Sequence, residues 1–215
     1  MNFRILGLFT ALPLVAALLG GCAATERSRA LGDPAVTGAT LADQVCSNCH
    51  GRQGLSVSPN FPKLAAQQSD YLTAQLTSFR DQQRRDPQGF EYMWGLSRHL
   101  TDAQIGQLAA YFAAQPASRG APAGETARVE AGRVLFTQGD APRGILACNT
   151  CHGEQGQGNG AFPRLAGQHA DYLVKQLEIF QRNDDQRPLG SVMKVVAHKL
   201  TPEDVRALAA YAQQM

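Results

Sequence analysis

Charge of one sign is what this 215-residue chain has least of: 20 Lys+Arg stand against 18 Asp+Glu, for a formal net charge of +2. With no basic surplus to neutralise a phosphate backbone, nucleic-acid binding is not expected. Aromatic residues are few (7%) and tryptophan occurs once. Long apolar runs are missing after the N-terminal segment, which excludes a polytopic membrane protein, while 44% hydrophobic residues exclude a disordered one. No convincing alternation of apolar and polar residues marks a strand. Cysteine, histidine and methionine number five, five and four, and their placement carries most of the information.

Residues 1–21 (MNFRILGLFTALPLVAALLGG) hold one Arg, then an apolar run from Ile5 to about Leu19. That run is too short and too one-sidedly flanked for a membrane span and reads as an export signal. The stretch Leu19-Gly20-Gly21-Cys22 has the form of a bacterial lipoprotein cleavage site, which makes Cys22 the acylated first residue of the mature chain; the alternative is ordinary cleavage near Ala23 or Ala24. Either way the chain works outside the cytoplasm, where disulfides are permitted. Residues 22–37 then form a polar tether behind a membrane anchor.

The mature chain repeats itself after about 100 residues. FPKLAAQQSDYLTAQLTSFR from Phe61 and FPRLAGQHADYLVKQLEIFQ from Phe162 share eleven of twenty positions. From Met93 and Met193, the residues Met, Leu, Thr, Leu, Ala, Ala and Tyr recur in register, and CSNCHG at Cys46 matches CNTCHG at Cys148. This period exceeds that of solenoid repeats, so it marks a duplicated domain: 38–117 and 127–215, joined by a linker at 118–126 within the Pro-, Gly- and Ala-rich stretch Pro116–Thr126. Apolar spacing predicts helices over Ser69–Gln82 and Ala170–Gln181. Thr101 and Thr201 should cap helices over Asp102–Ala114 and Pro202–Gln213, with Pro202 at a first helical position. Further helices are expected over Ala39–Cys46 and Glu125–Gln138. Each half is therefore all-α, of a size whose thin core needs something more to hold it together.

Each half supplies that something with one Cys-x-x-Cys-His: Cys46, Cys49, His50 and Cys148, Cys151, His152. This is the c-type haem attachment signature. Thiols one helical turn apart can reach two vinyl groups on one haem edge, and the adjacent His is then presented to the iron. A dithiol redox pair needs no His. A structural zinc site would lack a fourth ligand at finger-like spacing. With Met1 in the signal and Met215 at the last residue, Met93 and Met193 remain, 43 and 41 residues after their His, each expected in a loop before the last helix. That symmetry makes them the sixth iron ligands rather than core filler. The rivals His99, His169 and His198 do not align with one another and read as surface or hydrogen-bonded histidines.

Pro62 and Pro163 follow their His by 12 and 11 residues. A rigid Pro there can aim its carbonyl at the outer imidazole nitrogen and fix the tautomer. Leu64 and Leu165 would pack on the haem face. The runs Arg80–Asp86 and Gln181–Arg187 read as solvated helix ends, with Arg84, Arg85 and Arg187 as candidate partners for haem propionates. The glycine-rich Gly153–Gly160 reads as a loop folding against the haem edge, and Trp94 as packing.

These motifs together resemble the cytochrome c4 family, the tandem dihaem branch of class I c-type cytochromes. The resemblance covers essentially the whole mature chain, including Phe-Pro-x-Leu-Ala-x-Gln and the run Gly139-Asp-Ala-Pro-Arg-Gly-Ile-Leu-Ala-Cys148. It implies two class I cytochrome c domains related by a pseudo-twofold, two haem c groups with neighbouring propionate edges, and a periplasmic electron carrier. The expected partners are a quinol-oxidising donor and, as acceptor, a haem–copper cytochrome c oxidase. Cys22 departs from a freely soluble pattern and favours a membrane-tethered carrier. Rival roles are the cytochrome subunit of a periplasmic dehydrogenase and a dihaem peroxidase; the latter needs a displaceable ligand that two equivalent Met residues do not offer.

Overall fold

The computed structural model describes residues 31–87, 89–118, 120–122, 125–182 and 185–215. The export signal, Cys22 and most of the tether lie outside the described residues. Among those residues there is no strand, only the isolated bridges Asp140–Ile145 and Asn159–Phe162, so the fold is all-α. No described helix is long and apolar enough to cross a membrane.

The first half opens on α1 (Gly38–Leu41), where the Thr37 hydroxyl accepts from the Thr40 N–H at 3.2 Å. The helix then widens into a π-helical stretch (Ala42–Cys46) and returns as α2 (Ser47–His50). The helix expected to stop at Cys46 thus runs through the whole cysteine motif. After it come α3 (Ser69–Arg80), a π-helical turn (Gly89–Trp94), α4 (Gly95–Ser97) and α5 (Asp102–Ala113). The second half repeats the plan with α6 (Thr126–Gln138), α7 (Asn149–His152), α8 (Ala170–Gln181), α9 (Ser191–Ala197) and α10 (Pro202–Gln214). Here the ten-residue run from Gly139 to Cys148 separates the opening helix from the cysteine motif.

The closing helices start where the sequence placed them. Thr101 and Thr201 each accept from the N–H three residues on, and the Gln104 and Asp204 side chains return a bond to the Thr N–H. Such reciprocal caps satisfy two otherwise orphaned donors. Opening and closing helices cross in each half, α1 on α5 and α6 on α10. The second crossing is closest at Gly132, where an added Cβ would lie 2.0 Å from the Ala207 carbonyl oxygen. Around these crossings lie the two cores: Leu41, Ile105, Leu108 and Phe112 in one half, and Leu135, Phe136, Val205 and Leu208 in the other.

The halves meet through exchanged side chains. Gln168 accepts from the Lys63 N–H at 2.9 Å and donates to the Lys63 carbonyl at 2.9 Å. Its counterpart Gln67 accepts from the Arg164 N–H at 2.6 Å and donates to the Arg164 carbonyl at 3.0 Å. Residue i meeting j′ while j meets i′ is the signature of a twofold contact. Lys63 also donates from Nζ to Ser118 Oγ (2.9 Å) and to the Gly167 carbonyl (2.7 Å), which pins the linker to both halves.

Candidate functional site

The two cysteine motifs open onto one continuous cavity of about 820 Å³ that reaches into both halves. Cys46, Cys49, His50 and Met93 line it from one side; Cys148, Cys151, His152 and Met193 line it from the other. Leu64 and Leu165 contribute to its walls, as do Pro62 and Pro163. None of the four motif cysteines is paired in a disulfide, and burial pushes the Cys46 and Cys148 thiols up to about 11.

Each imidazole is held in one orientation. His50 Nδ1 lies 2.8 Å from the Pro62 carbonyl oxygen, and His152 Nδ1 lies 2.8 Å from that of Pro163. A carbonyl only accepts, so Nδ1 carries the proton and Nε2 is left with a free lone pair. Burial lowers the basicity of both rings, against the pull of these carbonyls. Phe61 and Phe162 brace them edge-on, with ring centroids 6.2 Å away in each case. The carbonyls are themselves fixed: in the first half the Leu64 and Ala65 N–H groups both donate to Gly54 O, and in the second those of Leu165 and Ala166 donate to Gly156 O.

The methionines sit on short helices rather than in the loops expected. Met93 belongs to the π-helical turn and Met193 to α9; both are half-buried. Trp94 is less a packing residue than part of a surface stack: its ring lies 5.6 Å from that of Phe90, at 6° between planes. The Gly153–Gly160 loop does not line the cavity; it lies behind the Phe162–Leu165 segment and anchors it. His99 and His198 are exposed, and His169 reaches across the halves to the Ser56 carbonyl at 3.0 Å.

Where the halves share the cavity, a polar knot forms that periodicity did not indicate. Arg84 and Arg187, expected at solvated helix ends, are buried at 6% exposure each, whereas Arg85 stays exposed. Gln75 Oε1 accepts from Arg84 Nη1 (2.8 Å) and from Arg187 Nη2 (3.0 Å). Gln176 Oε1 accepts from Arg187 Nη1 and from Arg84 Nη2 (3.3 Å). Arg187 also donates to the Tyr71 hydroxyl at 3.3 Å. Each guanidinium lies over a ring of its own half, Arg84 over Phe79 at 4.4 Å and Arg187 over Phe180 at 4.9 Å. Burial alone would raise Tyr71, but the two guanidiniums outweigh it and hold the phenol below its usual range. Asp86, 2% exposed, pairs with Arg84 at 2.6 Å, and that cation keeps it ionised despite burial. A usable signal was present: Tyr, Gln and Phe recur at the same places in both copies, and a glutamine retained on an apolar helix face asks for a buried partner.

An apolar cavity bearing paired thiols, oriented imidazoles and thioethers, with guanidiniums where its two lobes meet, fits two haem c groups. The comparisons agree. The cytochrome c family model matches twice, over residues 35–115 and 129–215. Cytochrome c4 of Azotobacter vinelandii is 37% identical over 200 residues, spanning 88% of this chain and 92% of that protein. The solved structure of Acidithiobacillus ferrooxidans cytochrome c4 superposes with a TM-score of 0.73 at 36% identity, covering 79% of this chain and 98% of that one. A protein named thiosulfate dehydrogenase electron acceptor, from Stutzerimonas stutzeri, is 33% identical over 177 residues, 81% of this chain and 80% of its own. Two tandem cytochrome c domains, each with its own attachment motif, and relatives of this kind over most of the length place the chain in the cytochrome c4 family, as a dihaem electron-transfer protein rather than an enzyme.

Proposed function

We propose that the chain works in the periplasm, tethered to a membrane through acylated Cys22, and passes single electrons from quinol-side donors towards a terminal haem–copper oxidase. The observation that carries this reading is the equivalence of the two halves. Both present His with its outer nitrogen bonded to a Pro carbonyl, and both present one Met to the same cavity. His50, Met93, His152 and Met193 would hold the two irons, and the four thiols would hold the haems covalently.

The haems supply a one-electron Fe(III)/Fe(II) couple; the chain does the rest. Cys46, Cys49, Cys148 and Cys151 fix the cofactors covalently. His50 and His152 each offer Nε2, held in place by the carbonyl behind them. Met93 and Met193 would offer each iron a soft donor that favours the reduced state and raises the potential. Leu64 and Leu165 would keep water from the cofactors. Arg84 and Arg187 would supply counter-charge to propionates. A His and a Met for each iron would suit electron transfer rather than bond chemistry.

A second reading makes the chain the electron acceptor of a periplasmic dehydrogenase, favoured by the relative that bears such a name. Membranes and periplasm prepared from cells with and without the chain separate the two. Loss of quinol-dependent oxidase flux supports the oxidase branch, whereas loss of a dehydrogenase activity that co-purifies with the chain overturns it. The ligand set is tested optically: the oxidised holoprotein should show the far-red sulfur-to-iron band, and Met93→His and Met193→His should each remove half of it and lower one potential. A mature chain whose mass lacks acyl groups at Cys22 would remove the tether.

A further inference from the structure

The halves share their ligand types but not the charge they turn towards the cavity. In the first half Arg84 lines the cavity together with two acids, Asp86 and Glu91; in the second, Arg164 and Arg187 line it, and among the described residues no acid of that half does. Glu91 is exposed, so water and salt screen it. Asp86 is not. Its Oδ1 sits 2.6 Å from Arg84 Nε, and its Oδ2 sits 3.4 Å from Nη2. It packs against Gly89, where an added Cβ would lie 2.9 Å from Oδ1, and its carbonyl accepts from the Phe90 N–H at 2.9 Å. Asp86 therefore belongs to the segment that leads into Met93.

The second half runs Arg187-Pro188-Leu189 at the matching place and has no acid there. Among the described residues Arg187 donates only to neutral acceptors, Gln75, Gln176 and the Tyr71 hydroxyl, although its charge also reaches Asp86. One cation from the second half offsets part of the difference. Lys175 Nζ is buried without a hydrogen-bond partner among the described residues, and it feels Asp86 and Glu91 from across the boundary. With Arg84 it sets two cations against the two anions of the first half, whereas Arg164 and Arg187 add two cations to the second with no acid of that half among the described lining residues.

An oxidised iron centre carries one more positive charge than the reduced one, so a buried anion stabilises the oxidised form and a buried cation the reduced one. With like axial ligands on both sides, the ligands do not separate the two centres. We propose that Asp86 is a one-sided tuning residue: its buried carboxylate holds the haem site of the first half at the lower potential, so that a single electron on the molecule resides in the second half. The assignment rests on the His/Met reading above.

The test is a spectroelectrochemical titration of the holoprotein beside Asp86→Asn, with Met93→His identifying which wave belongs to the first half. In the wild type the lower wave should be the first half's. Asp86→Asn should raise that wave, leave the upper one nearly in place, and move the electron-exchange equilibrium between the halves roughly tenfold towards parity, as expected for one weakly screened unit charge. Arg187→Gln covers the case in which Asp86→Asn does not fold. It removes a buried cation from the second half and should lower the upper wave, narrowing the gap from the other side. The proposal is overturned if Asp86→Asn, with both haems and a native far-UV spectrum, keeps the wild-type gap, if Arg187→Gln leaves the upper wave unmoved, or if the lower wave belongs to the second half. A missing sulfur band in the wild type would instead sink the ligand assignment and leave the charge asymmetry to be judged on the two waves alone.

Discussion

Met93 rides on a π-helical turn, Gly89–Trp94, whereas Met193 sits in an ordinary α-helix, Ser191–Ala197. Of the two extra residues between His and Met in the first half, one lies before Pro62 and the wider turn accommodates the other, between Gly89 and Met93; π-turns of this kind often mark functional positions. It also changes the surface. Beside Met93, Phe90 and Trp94 stack and Arg98 lies over the indole at 5.2 Å; beside Met193, Val192 and Val195 are bare to solvent. The opening helices differ in the opposite sense. In the first half the helix runs unbroken through the cysteine motif, while in the second a ten-residue excursion intervenes, closed by the Asp140–Ile145 bridge. What the copies hold in common is the set of thiols, imidazoles, methionines and prolines that line the cavity. What they have let drift is the route by which the backbone delivers those groups.

Paired substitutions test how far that equivalence goes. The largest effect belongs to the thiols. Cys46→Ser/Cys49→Ser and Cys148→Ser/Cys151→Ser should each cost one covalently held haem, read as the intact mass falling by one such group; a variant that loses both would show that the halves load as one unit. Next come the helix crossings. Gly132→Val drives a side chain into the Ala207 carbonyl and should destabilise the second half by about 3 kcal/mol or more in urea unfolding. Gly38→Val meets Gln107 Cβ at 2.4 Å and the Gln107 and Leu108 backbone at 2.8 Å, so it should cost the first half a comparable amount; a negligible loss there would show that the first crossing can open where the second cannot.

At the boundary, Gln67→Ala leaves the Arg164 N–H and carbonyl unpaired, and Gln168→Ala does the same to Lys63. Each should cost about 1–3 kcal/mol and speed proteolysis at the linker. Lys63 keeps its Nζ bonds to Ser118 and Gly167, so Gln168→Ala should be the milder of the two. The smallest effect is at the caps. Thr101→Ala should cost about 1 kcal/mol. Thr201→Ala should cost less, because Pro202 already sets the first helical residue.

The parts of this molecule that could be read in advance are those encoded locally or twice over. The Cys-x-x-Cys-His spacing names its cofactor without any tertiary information. Counting singles out Met93 and Met193, which both line the cavity, and the capping Thr residues stand at the start of their helices. The all-α character follows from periodicity alone. The knot between the halves was not legible in this way, because its bonds join residues some 90 to 110 positions apart, such as Arg84 to Gln176 and Arg187 to Gln75. Local composition pointed the other way: a run such as Arg-Asp-Gln-Gln-Arg-Arg-Asp reads as solvated because charges are rarely buried unless paired. Here Arg84 and Asp86 are paired, and their cost of burial is met by each other. The π-helical turns escaped as well, since they depend on an inserted residue rather than on any composition of their own.

The reciprocal glutamines have one more implication. Two separate single-haem chains carrying this face would recognise each other by the same four bonds, as a symmetric dimer held only by its concentration. Joining them by a short strap makes the encounter permanent at any dilution. It also ends the requirement that both surfaces change together. A lone acid such as Asp86 would appear on both sides of a homodimer, where its effects would balance; in a fused pair it can stand on one side only, and direction along the molecule becomes heritable.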